Sequence, residues 1–225
     1  MGPEMNTHRL LHIMYERLFS FFGPCNWWPG DSPFEIMVGA ILTQNTNWKN
    51  VERAIANLKT DGLLTLTAMS ALSREQLAEY IRPAGYYNIK ADRLRNFFAL
   101  INDQWDGDLD LFLRQPATVL REELLSVKGI GPETADSMVL YAAGKPVFVI
   151  DAYTHRILIR HEIIDEFYDY HMIQELFMDN LEEDCALFNE YHALIVQLGK
   201  EFCKKTRPVC EGCPLSGLNG IDCLE

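Results

Sequence analysis

"SVKGIGPETADSMVLYAAGKPVFVIDAYTHR", residues 126–156, holds two glycines one residue apart, a helical stretch, and a short apolar run that ends at an acid, Asp151. It reads as the end of one helix, a tight Gly-x-Gly turn at Gly129 and Gly131, and a second helix starting near Pro132. Glycines let the backbone approach a ligand closely, and the helix start that follows presents N–H groups suited to a phosphate. Lys128 adds a charge at the same place. A bare Gly-x-Gly serves ordinary helix–helix turns as well, so the spacing leaves both readings open. Asp151 follows "PVFVI" (146–150), apolar enough for a short strand, and precedes "AYTHRILIR", which has helical periodicity. Aspartate is favoured as a helix N-cap, and an isolated carboxylate behind an apolar run also suits acid–base or electrostatic chemistry. Cap and catalyst both stay open for Asp151.

Outward from this stretch, the pattern is helical nearly throughout. "PFEIMVGAILTQ" (33–44) starts with proline after Ser32, a cap followed by a preset first turn. "WKNVERAIANLKT" (48–60) spaces Val51, Ile55 and Leu58 along one face. "SREQLAEYI" (73–81) carries the Ser73/Gln76 capping box, and "NIKADRLRNFFALIND" (88–103) is amphipathic. Further helices are expected from near Thr118, near Pro132, after Asp151 and across 185–202. The expectation is an all-α chain of about ten helices with short connections.

The composition bounds the class without deciding it. The chain has 225 residues, 48% hydrophobic and 23% charged, enough for a sizeable core. No apolar run approaches the roughly 20 residues of a membrane span, and no secretory pattern opens the sequence, so a cytoplasmic protein without a membrane partner is expected, nucleoid-associated if bacterial or archaeal. The net charge of −12 argues at first against a nucleic-acid partner. Residues 161–190, however, hold ten acids and no Lys or Arg; outside them 22 acids face 20 bases. The acidity is largely one local face, and basic patches elsewhere remain open.

Four of the six cysteines, Cys203, Cys210, Cys213 and Cys223, fall within residues 203–223 in the spacing C-x6-C-x2-C-x9-C. Thiolates gathered so closely usually hold metal, and from spacing and softness alone iron–sulfur and zinc are nearly even.

"LLSVKGIGPETAD" (124–136), followed by "VIDAYTHR" (149–156) and the four-cysteine tail, resembles the helix-hairpin-helix DNA glycosylases in their iron–sulfur, endonuclease III-like branch. "SPFEIMVGAILTQNT" (32–46) and "RPAGYYNIKADRL" (82–94) resemble two further blocks of that branch, in the family's order across almost the whole chain. The resemblance implies an all-α fold of two helical subdomains with a helix-hairpin-helix motif and a C-terminal iron–sulfur cluster loop. Residues 31–145 would form a six-helix barrel-like domain carrying the hairpin. Residues 1–30 plus 146–225 would form a second helical domain with the four-cysteine loop. It further implies that Lys128, Gly129, Ile130 and Gly131 hold backbone phosphate, and that Gln44 and Asn45 fill the gap left by a flipped base. Asp151 would support the oxocarbenium character of the sugar or activate water. Cys203, Cys210, Cys213 and Cys223 would hold a [4Fe-4S] cluster. The implied partner is double-stranded DNA containing a damaged base, bound by a monomer.

Two departures shape the functional expectation. Strand-cleaving members of the family carry a lysine two residues after the second glycine; here that position is Glu133, and a carboxylate cannot form a Schiff base. The last cysteine gap is nine residues rather than the family's five, an insertion rich in Gly, Ser and Asn. A flipped base stacks on aromatic faces, and Trp27, Trp28 and Trp48 lie in blocks that resemble the 3-methyladenine-excising sub-branch. That sub-branch also has Glu at the lysine position but typically lacks the cluster. The expectation is a monofunctional DNA glycosylase of base excision repair acting on an alkylated purine such as 3-methyladenine. The alternatives are an endonuclease III-like glycosylase and lyase for oxidised pyrimidines or mismatches, and a non-catalytic damaged-DNA-binding protein.

Overall fold

The apolar, nearly featureless run "PFEIMVGAILT" shows how one half of the chain is organised. A helix apolar on all sides must be surrounded, and eight of its residues from Phe34 to Leu42 are buried. The computed structural model describes residues 6–27 and 30–218. Among the described residues there are twelve α-helices and no strand: α1 (Thr7–Phe22), α2 (Pro33–Thr43), α3 (Trp48–Thr60), α4 (Leu66–Ala71), α5 (Arg74–Tyr80), α6 (Tyr87–Gln104), α7 (Leu109–Leu113), α8 (Ala117–Ser126), α9 (Pro132–Ser137), α10 (Ala152–Arg160), α11 (Tyr170–Met178) and α12 (Cys185–Glu201). A 3-10 turn, Arg82–Ala84, precedes α6, and α9 runs on into a π-helical turn, Met138–Ala142. No helix among the described residues is long and apolar enough to cross a membrane.

The chain divides into two compact units, Trp28–Lys145 and Met1–Trp27 with Pro146–Glu225. In the first, α2 packs against α3, α6, α9 and the π-helical turn. Local signals set its helix starts: Ser32 accepts from the Glu35 N–H, and Ser73 and Gln76 form the expected reciprocal capping box. A buried cation joins three of its segments. Lys90 on α6 is fully buried, and its Nζ donates to the carbonyls of Leu42 and Ala84, each at 2.8 Å.

In the second unit, α12 is the central helix, packed against α1 and α10. Gly199 makes the α10 contact possible: a Cβ there would lie 2.1 Å from the Tyr153 ring. Helix α1, which the sequence patterns above do not single out, buries Leu10, Leu11, Met14 and Leu18. "PVFVI" is not a strand. Its backbone groups pair with side chains of α11: the Phe148 N–H reaches Met178 Sδ (3.4 Å), Gln174 Nε2 donates to the Phe148 carbonyl (2.7 Å), and the Ile150 N–H reaches the Tyr170 hydroxyl (3.5 Å). Phe148 stacks on Phe177 at 4.0 Å and meets the edges of Phe188 and Tyr191. Its backbone satisfied in this way, the run needs no sheet partner.

Burial, with neighbouring Arg93 acting in the same sense, pulls the Lys90 amine down to about 8 from 10.5. Between those values the folded chain binds fewer protons at this site than the unfolded chain, so Lys90's contribution to stability rises with pH across that window. Lys90→Met is expected to destabilise the protein by about 3 kcal/mol at neutral pH. The gap to the unsubstituted chain should widen in urea unfolding repeated near pH 9.5; a gap that stays constant would show that the amine keeps ordinary proton affinity.

Candidate active site and hairpin

The hairpin between α8 and α9 is held from three sides within its unit. Arg121 on α8 pairs with the fully buried Asp136 on α9, Nε to Oδ1 at 2.7 Å, closing the two helices around the turn. Asn96 on α6 donates to the Lys128 carbonyl at 3.0 Å. Gln44, just past α2, donates to the Gly129 carbonyl (3.1 Å) and the Thr134 hydroxyl (2.9 Å), while Arg93 donates to its Oε1. Gly129 has φ +100°, and a Cβ there would lie 2.5 Å from Arg93 Cγ, so both backbone conformation and space require glycine. Gly131 differs: a Cβ there would meet nothing within 4 Å.

Lys128, Gly129 and Gly131 are exposed and Ile130 is buried, so the turn presents backbone and one cation outward while its apolar residue anchors it. A groove of about 430 Å³ beside it is lined by Arg93, Arg95, Asn96, Lys128 and Gly129, with Ile89 and Asp92. Asp92 is held by Arg74, Nε to Oδ1 at 2.5 Å, which leaves the groove a net basic lining. Asn45 is exposed with φ +54°, and Trp48 is half-buried at the first turn of α3. Glu133 lies in the first turn of α9, where the helix dipole favours an acid.

Asp151, in the other unit, caps α10. Its Oδ1 accepts from the Thr154 N–H (2.8 Å) and the Thr154 hydroxyl (2.9 Å). Its Oδ2 lies 3.6 Å from His192 Nε2 on α12, beyond hydrogen-bond length but within ion-pair range. The two side chains are only 10% and 7% exposed. Burial pushes the carboxyl up, but His192 and the two Thr154 donors outweigh it and hold Asp151 below the ordinary aspartate range. The site is thus a nearly closed carboxylate kept in its charged form.

Trp27 belongs to the same unit and stands edge-on to His192, with ring centroids 6.4 Å apart, while Lys200 Nζ sits 5.2 Å from its centroid. Cys25 ties this segment to α12: its N–H donates to Glu190 Oε1 at 2.6 Å and its thiol to Gln197 Oε1 at 3.2 Å. Burial and then Glu190 push the Cys25 thiol up to about 11, an unreactive state. Trp28 lies outside the described residues.

Cys203 and Cys213 are buried and Cys210 is half-buried; Cys223 lies outside the described residues. Burial chiefly raises the Cys213 thiol, and the Cys210 and Cys203 sulfurs act in the same direction, which puts the three thiols in electrostatic reach of one another. Backbone groups of Leu215 and Ser216 favour the Cys213 thiolate. Arg160 Nη1 donates to Cys203 Sγ at 3.2 Å and also binds the Lys204 carbonyl. Among the described residues no three Cys, His, Asp or Glu side chains form a metal-holding group.

Sequence patterns point to Asp151, the hairpin residues and Gln44. They do not point to His192, Thr154, Arg93 or Asn96. Thr154 carries a readable signal, a hydroxyl residue three after a capping aspartate; His192 sits in the apolar run "YHALIVQL", where a histidine looks like core.

The family model described as HhH-GPD superfamily base excision DNA repair protein matches residues 38–183. A Methanocaldococcus jannaschii protein, provisionally named a DNA repair glycosylase, is 44% identical over 211 residues, 93% of this chain and 96% of its own. Endonuclease III of Sulfolobus acidocaldarius is 30% identical over 181 residues, 80% of this chain and 78% of its own. Among solved structures, the H. pylori 3-methyladenine DNA glycosylase MagIII bound to 1,N6-ethenoadenine has a TM-score of 0.73 at 28% identity, covering 88% of this chain and 98% of that one. A non-covalent endonuclease III–DNA complex gives 0.81 at 22% identity over 95% of both chains, a likeness of fold.

The two hairpin glycines should respond differently to alanine. Gly129→Ala is expected to cost about 2 kcal/mol through strain and the collision with Arg93. Gly131→Ala should stay within about 0.5 kcal/mol. Urea midpoints of the two variants check this, and equal losses would contradict the assignment of close packing to Gly129 alone.

Proposed function

Because this chain belongs to the HhH-GPD superfamily of base excision DNA repair proteins, we propose that it is a monofunctional DNA glycosylase that hydrolyses the N-glycosidic bond of a flipped, alkylated purine. The observation that carries this reading is Asp151, nearly closed off from water, fixed through one oxygen by Thr154 and held anionic. As the glycosidic bond lengthens, positive charge develops on the sugar. A fixed carboxylate stabilises that charge without having to reorganise and can accept the proton of the incoming water.

The hairpin unit would supply the grip on DNA. Exposed backbone at Gly129 and Gly131, with Lys128 and the basic groove, suits the phosphate backbone, while Gln44 and Asn45 are placed on the same unit for the gap left by the flipped base. Trp27 and Trp48 are the aromatic candidates for stacking, together with Trp28. The 28% identity to a 3-methyladenine glycosylase supports an alkylated purine as substrate. Such a base is cationic and already a good leaving group, so little acid catalysis is needed. Glu133 at the hairpin helix offers no amine for covalent catalysis, which supports hydrolysis by water rather than strand cleavage. The 30% identity to an endonuclease III favours a second reading, a glycosylase that also cleaves the strand.

The thiols of Cys203, Cys210 and Cys213, with Cys223, suit a [4Fe-4S] cluster: three lie within mutual electrostatic reach, and backbone groups and Arg160 are directed at their sulfurs. When bound, the cluster would act structurally, ordering the loop whose Lys204, Lys205 and Arg207 stand ready for phosphate. We propose action by a monomer on double-stranded DNA.

Duplexes carrying single lesions, scored separately for base release and strand cleavage, test the reading. Release of 3-methyladenine without borohydride-trappable adduct is expected, and Asp151→Asn should lower release by about 10³-fold. A trapped adduct would favour the second reading. Purified protein should carry about four irons per chain; zinc in their place would refute the cluster.

A further inference from the structure

The two oxygens of Asp151 are not equivalent. Oδ1 already accepts two bonds from Thr154, at 2.8 and 2.9 Å. Oδ2 faces His192 Nε2 at 3.6 Å instead. His192 is 6% exposed, in the middle of α12, with the aromatic edge of Trp27 against it. A histidine costs free energy in such surroundings unless its ring nitrogens are used. Here one of them is directed at the oxygen that Thr154 leaves for chemistry.

We propose that His192 is the positioning residue for Asp151: its Nε2, 3.6 Å from Oδ2, keeps that oxygen turned to the reacting sugar as a hydrogen-bond donor. This rests on Asp151 acting as described above. In the balanced step, the bond from the sugar's anomeric carbon to the base breaks and the base leaves with the electron pair. The water oxygen bonds to that carbon, and its proton passes to Asp151 Oδ2.

Other titratable or charged groups lie on α12 and on the elements packed with it. Arg156 lies on α10, with Nε on the Cys203 carbonyl. Tyr15 on α1 meets Tyr191, and Cys25 lies in the segment after it. Glu190 and Lys200 are on α12 itself, bonded to the Cys25 N–H and over the Trp27 ring respectively. Asp151 is the group placed at ion-pair distance by its carboxylate oxygen.

The test uses the full chain, methylated duplex DNA and single-turnover release of 3-methyladenine at neutral pH. A second duplex with an abasic-site analogue measures binding. His192→Gln keeps a donor; His192→Phe keeps a ring and removes the donor. The expected result is a rate within about threefold of the unsubstituted enzyme for His192→Gln, whose amide still donates to Oδ2. His192→Phe should be slower by about 100-fold, with abasic-duplex affinity within about threefold for both variants. An active unsubstituted enzyme whose rate survives His192→Phe, or falls as far in His192→Gln as in His192→Phe, overturns the inference alone. Loss of abasic-duplex affinity in both variants makes the role merely structural and also overturns it. No methylpurine release by the unsubstituted chain, or full activity of Asp151→Asn, overturns the proposed function and this inference with it.

Discussion

An ionised carboxylate out of water is tolerated only where other groups replace its hydration, and the segment Pro146–Asp151 is arranged around that constraint. Removing such an ion from water costs several kcal/mol. At Asp151 the start of α10, both Thr154 donors and His192 act against that cost. Its place is fixed from behind by Phe148, stacked on Phe177 and edge-on to Phe188 and Tyr191. Tyr191 is itself locked by its hydroxyl on the Leu11 carbonyl at 2.8 Å. Tyr191 and His192 are consecutive, so one turn of α12 both anchors the segment and meets the carboxylate it delivers.

The hairpin unit solves a different problem, holding an exposed turn rigid without covering it. It does so with side chains that bond to backbone: Asn96 to Lys128, Gln44 to Gly129, Lys90 to Leu42 and Ala84. Gln44 is the common member, tied also to Thr134 and Arg93. A side chain so committed must leave three partners before it can enter a DNA stack, whereas Asn45 is already exposed in a left-handed conformation that asparagine tolerates. Insertion by Gln44 would therefore loosen the hairpin's own support, and the two acts of DNA binding become energetically coupled.

What the sequence shows plainly is whatever depends on neighbours a few residues away. Ser32 before Pro33, Ser73 with Gln76, and Asp151 before its helix are each legible because cap and capped N–H lie within three residues. "PVFVI" misleads because its partners, Tyr170, Gln174 and Met178, come 20 to 30 residues later and satisfy the backbone through side chains. No period-2 or period-3.6 pattern encodes such an arrangement. His192 is hidden for the same reason: the carboxylate it faces lies far upstream in the chain. At Asp151 the capping geometry and a charged, nearly closed carboxylate coexist in one residue, so the two readings the sequence leaves open do not exclude each other.

Trp27 shows how the two levels of function separate. From sequence, its electron-rich face suits a cationic purine; in the folded chain Lys200 already stands over that ring at 5.2 Å. An alkylated purine taking the same face would meet a like charge, so the cation–π gain, about 0.5–2 kcal/mol, applies only if Lys200 swings aside or the opposite face is used. Lys200 is exposed and its stem is flexible, so the displacement costs little. Asp151, in contrast, is bonded to a neighbouring residue and faced by a buried histidine, with no low-cost alternative position. On the proposed reading, reaction type would rest on groups the fold holds rigidly, and lesion choice on half-buried rings and movable cations.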